Sequence, residues 1–259
     1  MMDWSANPSG KVSVEVNTLS KTALLNDIKE CLSTGRGFTV ATLNLDHAVK
    51  LRHDPKFRDA YARHTHVVAD GNPVVWLERL AGRTAELTPG SELVEPVAEL
   101  AARHKVSVAL IGSTDASLER AGAALQRQYP DLEIAARIAP AMGFEPESPV
   151  ADEVIDRLAQ SGAGIAFLAL GAPRQEVFAA YAAQKVPTVG FLSIGAGLDF
   201  LAGSQVRAPA WVRAMAAEWI WRLGSNPRRL AKRYGACIAI LPRLMLSAFQ
   251  ARRGGKANA

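Results

Sequence analysis

The sequence predicts an α/β fold of the Rossmann-like kind: a mostly parallel sheet with helices on both faces, followed by a basic C-terminal helical appendage. Three observations carry this. Apolar runs such as "VSVALIG" and "GIAFLALG" are continuous rather than alternating, as in strands covered on both faces. Segments of helical period separate them. The charge is also split. Residues 207–259 hold 11 basic residues and one acidic residue, a net +10, so of the chain's total of +5 the remainder carries −5. The expected division is a core over 1–206 and an appendage over 207–259, with composition changing between Gly203 and Pro209.

The elements follow in order. "KVSVEV" (11–16) alternates with period two and predicts a half-buried strand. The next segment has helical spacing and a stop at Gly35. "FTVATLN" (38–44) predicts a strand, with short helices over 46–52 and 55–64. "HVVADG" (66–71) predicts a strand ending in a turn, then a helix over 73–82 framed by Pro73 and Gly82. Helices are expected over 91–104, 115–128, 149–161 and 173–184. Strands are expected over 106–112, 132–137, 164–171 and 188–195.

Composition excludes several classes. With 259 residues, 49% hydrophobic and 21% charged, the chain has the make-up of a globular protein with a large core. Cys31 and Cys237 form no CxxC pair, which predicts a reducing compartment and no disulfide framework. "MMDWSANPSG" has neither a basic n-region nor an apolar h-region, so no secretory leader is expected. No run of 18 apolar residues occurs, so no transmembrane helix is expected.

Sites in open parallel sheets lie where strands end and helices begin. Four such ends carry chemistry. "ALGAPRQE" places Gly171 at a turn, Pro173 at a helix start, and Arg174, Gln175 and Glu176 in the first turn. They suit phosphate or sugar hydroxyls; a capped helix with a solvated first turn explains them equally well. "LIGSTDAS" offers Gly112 and Ser113 before a helix, either for phosphate or as a plain turn capped by Ser113, Thr114 or Asp115. Asp70 in "VADGNP" is placed for general base work or for capping the following turn. In "TLNLDH", Thr42 and Asn44 share a face, to meet ligand hydroxyls or to close the strand end.

Other chemistries lack their signatures. There is no GxGxxG, P-loop or GxSxG. The five histidines show no metal-ligand spacing, and no acidic pair stands in a strand-end loop, so no metal is expected.

The appendage combines cations, Trp211, Trp219 and Trp221, and an apolar face of Leu230, Tyr234, Ile238 and Leu241. That composition suits an anionic membrane surface, with packing on the core or nucleic acid as the alternatives. No nucleic-acid-binding motif supports the last, so no nucleic acid partner is expected.

Together, "TLN", "ADG", "IGS" with "YPDLEI", "LGAPRQE", "IGAGLDFLAG", "RAPAW", "EWIWRL" and "PRRLAKRY" resemble the WecG/TagA/CpsF family of bacterial glycosyltransferases over about residues 12–234. The resemblance implies an inverting, metal-independent transfer of a hexose from a UDP-sugar to a polyprenyl-diphosphate-linked sugar. The setting it implies is peripheral, at the cytoplasmic face of the bacterial inner membrane, in cell-surface or exopolysaccharide synthesis. By motif, Asp70 is the general base, and Thr42, Asn44 and Gln175 line the site. Arg222, Arg229 and Arg233 hold diphosphate and dock the membrane. The resemblance also allows a homo-oligomer. The segment "ELTPGSEL" (86–93) departs from the family's E-R-V-T-G-x-D-L: Leu87 stands at the arginine position and Glu92 at the aspartate position. The donor is accordingly glucose, N-acetylmannosamine or its uronic acid, with a lean to glucose. The alternative reading is a non-catalytic UDP-sugar-binding subunit of a polysaccharide assembly complex.

Overall fold

The computed structural model describes residues 2–5, 12–205, 209 and 227–257. Six strands form one parallel sheet: β1 (Phe38–Leu43), β2 (His66–Ala69), β3 (Val108–Gly112), β4 (Ile134–Ile138), β5 (Ile165–Ala169) and β6 (Gly190–Ser193). The order is β2-β1-β6-β5-β3-β4. Helices α1 (Lys21–Thr34), α5 (Val94–His104), α6 (Asp115–Gln128) and α9 (Gly197–Leu201) cover one face. The other carries α2 (Leu45–His53), α3 (Pro55–Ala62), α4 (Asn72–Leu80), α7 (Pro149–Ser161), α8 (Arg174–Lys185) and the C-terminal helix α10 (Pro227–Ala257).

Alternate strand residues feed the two faces. Val40 and Val68 point into the α1/α5 side, while Ala41, Leu43, Val67 and Ala69 point under α2–α4. Every residue of β1 is buried, Thr39 and Thr42 included, as in a strand covered on both faces. Local chemistry sets the boundaries. Ser20, Asn44, Asp54, Thr114 and Ser148 each accept a helix N–H at an N-cap. Gly35 and Gly162 end α1 and α7 in the left-handed conformation. Gly112 has a packing reason: a Cβ there would lie 2.5 Å from the Ala169 backbone of the neighbouring strand.

Residues 12–18 are extended but join no ladder. Their alternation reports burial of Val14 and Val16, not pairing. The edge of β2 is met by the Asn17 side chain together with single backbone bonds from Thr18 and Thr88. The Asn17 amide accepts from Val67 N–H at 2.7 Å and donates to the Thr65 carbonyl at 3.0 Å. The short α9 was not expected; its five residues give too little periodicity to read.

Within α10, Leu230–Gly254 contains an 18-residue portion of mean hydropathy 1.3, so by length and composition this helix could cross a membrane, although no unbroken apolar run marks it in the sequence. Here it lies along α2 and α4, with Leu244 and Ala248 fully buried in their core. The expected apolar face holds at Leu241, which packs against this core, but it continues through Cys237, Leu244 and Ala248, and Ile238 is exposed.

Beneath α2 and α3, His47, Phe57, Tyr61 and His64 pack edge to edge or tilted. Burial, reinforced by the Lys50 ammonium, pushes His47 down to about 3, and burial pushes His64 down to about 4. Both are neutral in the folded chain and regain an ordinary pKa of 6.5 on unfolding. Below that pH the unfolded chain takes up protons that the folded chain refuses, so stability falls as pH drops from 6.5 towards 4. Each histidine contributes at most about 1.4 kcal/mol per pH unit. Urea midpoints should therefore fall across this window, with a shallower slope in His64→Gln; an identical slope would remove His64 from the linkage.

Candidate functional site

Register gathers the chemistry at one edge. Leu43 pairs with Ala69, Leu168 with Ser193, and Gly112 with Ala169. All five strands from β2 to β3 thus end together, and Asp70, Asn44, Gly195, Gly171 and Ser113 stand in a row. Four strand spacings of ~4.8 Å separate Asp70 from Ser113, about 19 Å. One phosphate cannot touch both, but an extended ligand could run along the row.

At the β2 end, Asp70 donates its N–H to the Leu43 carbonyl at 2.7 Å. Its carboxylate is half-buried and receives a long contact, 3.4 Å, from the Asn44 Nδ2. Asn44 works in two directions, because its Oδ1 also caps α2 through His47 N–H at 3.0 Å. Asp70 does not cap the next helix: Gly71 holds the α4 N-cap, with no side-chain capping bond. Thr42 is buried beneath, its methyl 3.2 Å from where a Cβ on Gly90 would sit. The segment that departs from the family pattern lies beside them. Leu87 bridges Ala69, and Thr88 N–H donates to the Ala69 carbonyl at 2.8 Å.

At the mouth of α8, Gly171 adopts φ +72 and the Ala172–Pro173 peptide is cis. Arg174 projects into solvent. Gln175 and Glu176 do not: they are 3% and 0% exposed. Gln175 Nε2 donates to Glu176 Oε1 at 2.7 Å, and Gln175 Oε1 accepts from Gly195 N–H at 3.2 Å. Glu176, expected to touch substrate, has no surface to offer; its place in the first turn did not reveal that it points inward. Burial raises its carboxyl to about 7, against the opposing pull of the Gln175 hydrogen bond.

Ser113, at φ +52, donates its hydroxyl to Asp199 of α9. Thr114, not Ser113, caps α6. Asp199 also accepts from Gln205 Nε2 at 3.0 Å. Among the described residues no cluster of three or more His, Cys, Asp or Glu is placed to hold a metal ion. Two clefts of about 390 and 350 Å³, lined in part by Phe38 and Thr65, open at the opposite end of the strands, away from these groups.

Sequence reasoning missed Asp46 and Lys50, although their i, i+4 spacing in "LDHAVK" was readable. Lys50 Nζ meets Asp46 Oδ2 at 2.6 Å and the Ala172 carbonyl at 3.3 Å. Arg233 of α10 meets the other Asp46 oxygen at 2.8 Å. Burial works to raise the Asp46 pKa, but the Lys50 hydrogen bond and the Arg233 charge hold it below its ordinary value. Thus Arg233 stands beside the candidate site. Arg222, Trp211, Trp219 and Trp221 lie outside the described residues, as does the Arg229 side chain.

The sequence profile of the glycosyl transferase WecG/TagA/CpsF family matches residues 11–258. The chain is similar to the N-acetylglucosaminyldiphosphoundecaprenol N-acetyl-beta-D-mannosaminyltransferase of Bacillus spizizenii, with 26% identity over 76% of this chain and 75% of that protein. The enzyme of the same name from Bacillus subtilis is 26% identical, over 74% of this chain and 73% of that protein. Its Staphylococcus aureus namesake is 28% identical, over 65% and 64%. A match that spans nearly the whole chain, on a parallel α/β frame with its polar strand ends in one row, places this protein in the WecG/TagA/CpsF family of glycosyl transferases.

Proposed function

We propose that the chain is an inverting transferase that moves a hexose from a UDP-sugar to a polyprenyl-diphosphate-linked sugar. The carrying observation is the half-buried Asp70, held at the end of β2 by its N–H to the Leu43 carbonyl, with its carboxylate touched by Asn44. In this reading Asp70 takes the proton of the acceptor hydroxyl. The acceptor oxygen then attacks the anomeric carbon, the bond from that carbon to UDP breaks, and UDP leaves with the electron pair. A single displacement inverts the anomeric centre. Asn44 orients the carboxylate, and Thr42 shapes the floor beneath it.

The row of strand ends suits an elongated donor, with its sugar near Asp70 and its diphosphate towards Ser113 and the mouth of α8. Arg174 and the cations of the appendage, Arg222, Arg229 and Arg233, serve the diphosphates. Hydrogen bonds to charged groups contribute roughly 1.5–3 kcal/mol each. The names of the relatives specify N-acetylmannosaminyl transfer to a diphosphoundecaprenol-linked sugar, which favours that donor over the glucose lean. Leu87 abuts Ala69 directly before Asp70, so the departure from the family pattern falls where a donor sugar would be judged.

Peripheral attachment to the cytoplasmic membrane face completes the reading. On α10, Ile238, Met245 and Phe249 recur at i, i+7 and i+11 and are 62, 47 and 47% exposed, with Leu246 beside them at 59%. Helix α10 carries eight basic and no acidic residues. A helix with one apolar stripe packed on its own core and a second facing outward among cations suits an anionic bilayer.

Two outcomes are expected. With N-acetylglucosaminyl-diphosphoundecaprenol and a panel of UDP-hexoses, wild-type protein should release UDP, and Asp70→Asn should lower that release by roughly 10²–10⁴-fold. UDP binding without release from any donor would instead favour a non-catalytic subunit. In vesicle sedimentation, replacing Ile238, Met245 and Phe249 with serine should shift the protein from anionic vesicles to the supernatant; unchanged sedimentation would exclude this stripe as the contact.

A further inference from the structure

The pair Gln175–Glu176 is not explained by substrate contact, because both side chains are buried. It is explained by what it joins. Glu176 Oε1 accepts one amide proton of Gln175, which fixes which end of the amide faces which way. With Nε2 turned to Glu176, Oε1 must face Gly195, and it accepts that N–H. Gly195 lies just past β6, at φ +58, in the turn that leads into α9. The same helix holds Asp199, the partner of Ser113 on β3. One buried carboxyl therefore stands at the head of a chain that links the ends of β5, β6 and β3. Among the described residues its second oxygen has no hydrogen-bond partner, and neither has the fully buried Ser193 hydroxyl at the end of β6.

We propose that Glu176 is a positioning residue of the transfer site: it sets the orientation of the Gln175 amide, which pins the Gly195 turn and with it the α9 segment that faces the row of strand ends. This rests on the transferase reading for its functional consequence, but the pinning itself is a property of the folded chain. An amide turned the other way would point NH₂ at the Gly195 N–H and leave a buried donor unpaired. Glutamate at 176 thus selects between two amide orientations of nearly equal shape.

The test uses the full chain with Glu176→Gln and Glu176→Ala, and reads two things. The first is hydrogen exchange and the chemical shift of the Gly195 amide by NMR. The second is kcat and the donor KM for UDP release. Alanine removes the buried acceptor, so Gly195 exchange should rise roughly ten- to a hundredfold and kcat should fall by a similar factor, with a smaller change in KM. Glutamine keeps an oxygen at the acceptor position and should restore both to within about threefold of wild type.

A titration supplies a measurement that needs only folded wild type and the glutamine variant. The charged and titratable groups around Glu176 are Asp46 and Lys50 of α2 and Tyr61 of α3, with Asp70 beyond Tyr61. Asp46 is held low and Tyr61 high, so neither titrates near neutrality. The wild-type Gly195 amide shift should therefore show a step near pH 7 that Glu176→Gln lacks. Gly195 exchange unmoved by alanine overturns the clamp. Faster exchange with unchanged kcat overturns its role in positioning. Wild-type protein that transfers no sugar yet shows the Gly195 step would fault the transferase reading and leave the clamp standing.

Discussion

Six strands running the same way impose the organisation of this molecule. A parallel sheet cannot return on a hairpin, so every strand is followed by a crossover, and every strand end opens into a turn at the same edge. The polar residues of the chain are dispersed in sequence, from Thr42 to Asp199, yet that edge collects them into one row. The apolar interior of each strand holds the row straight: β1, β3 and β6 are buried throughout. The site is a by-product of register, and whatever shifts the register shifts every group in it at once.

Much of this was legible in the residues. The strands β3, β5 and β6 follow from largely apolar runs, and the helices from periodicity and from stops such as Gly35; the caps at Ser20, Asn44, Asp54 and Ser148 are seen in the structure. Asp70 and Asn44 are readable as strand-end groups because alternation and turn residues place them there. Residues 12–18 mislead because burial alternates along any extended segment packed on a core, whether or not its backbone is paired. Glu176 misleads in the opposite way. A carboxylate in a first helical turn ordinarily faces water and the helix dipole, and only the packing of α8 on β6 and α3 turns it inward. The link from Arg233 to Asp46 spans 187 positions and follows no local pattern.

Among the described residues, one ion pair binds the C-terminal helix to the body. The chain is divided into a mildly acidic part and a strongly basic part, and the described contact between them is Asp46, shared by Lys50 and Arg233. Two cations on one carboxylate leave a local excess of positive charge beside the row of strand ends. Such an excess draws in anionic ligands and weakens with salt. The same helix meets the core through Leu244 and Ala248, so the charged contact sets where α10 begins while apolar packing sets how it lies.

The Asn17 amide at the rim of β2 has a consequence for solubility. An open sheet has two outer strands whose unpaired N–H and C=O groups can recruit another chain, strand to strand. At β2 the Val67 N–H and the Thr65 carbonyl are already occupied by a side chain, and Thr18 N–H takes the Val67 carbonyl. A full strand there would have offered its own far edge in turn and moved the exposure one position outward. An amide cannot propagate a ladder, so no strand can add at Val67, and the Leu87–Thr88 backbone covers the edge at Ala69. The segment that looked like a seventh strand acts as a stopper, guarding a concentrated protein against edge-on polymerisation.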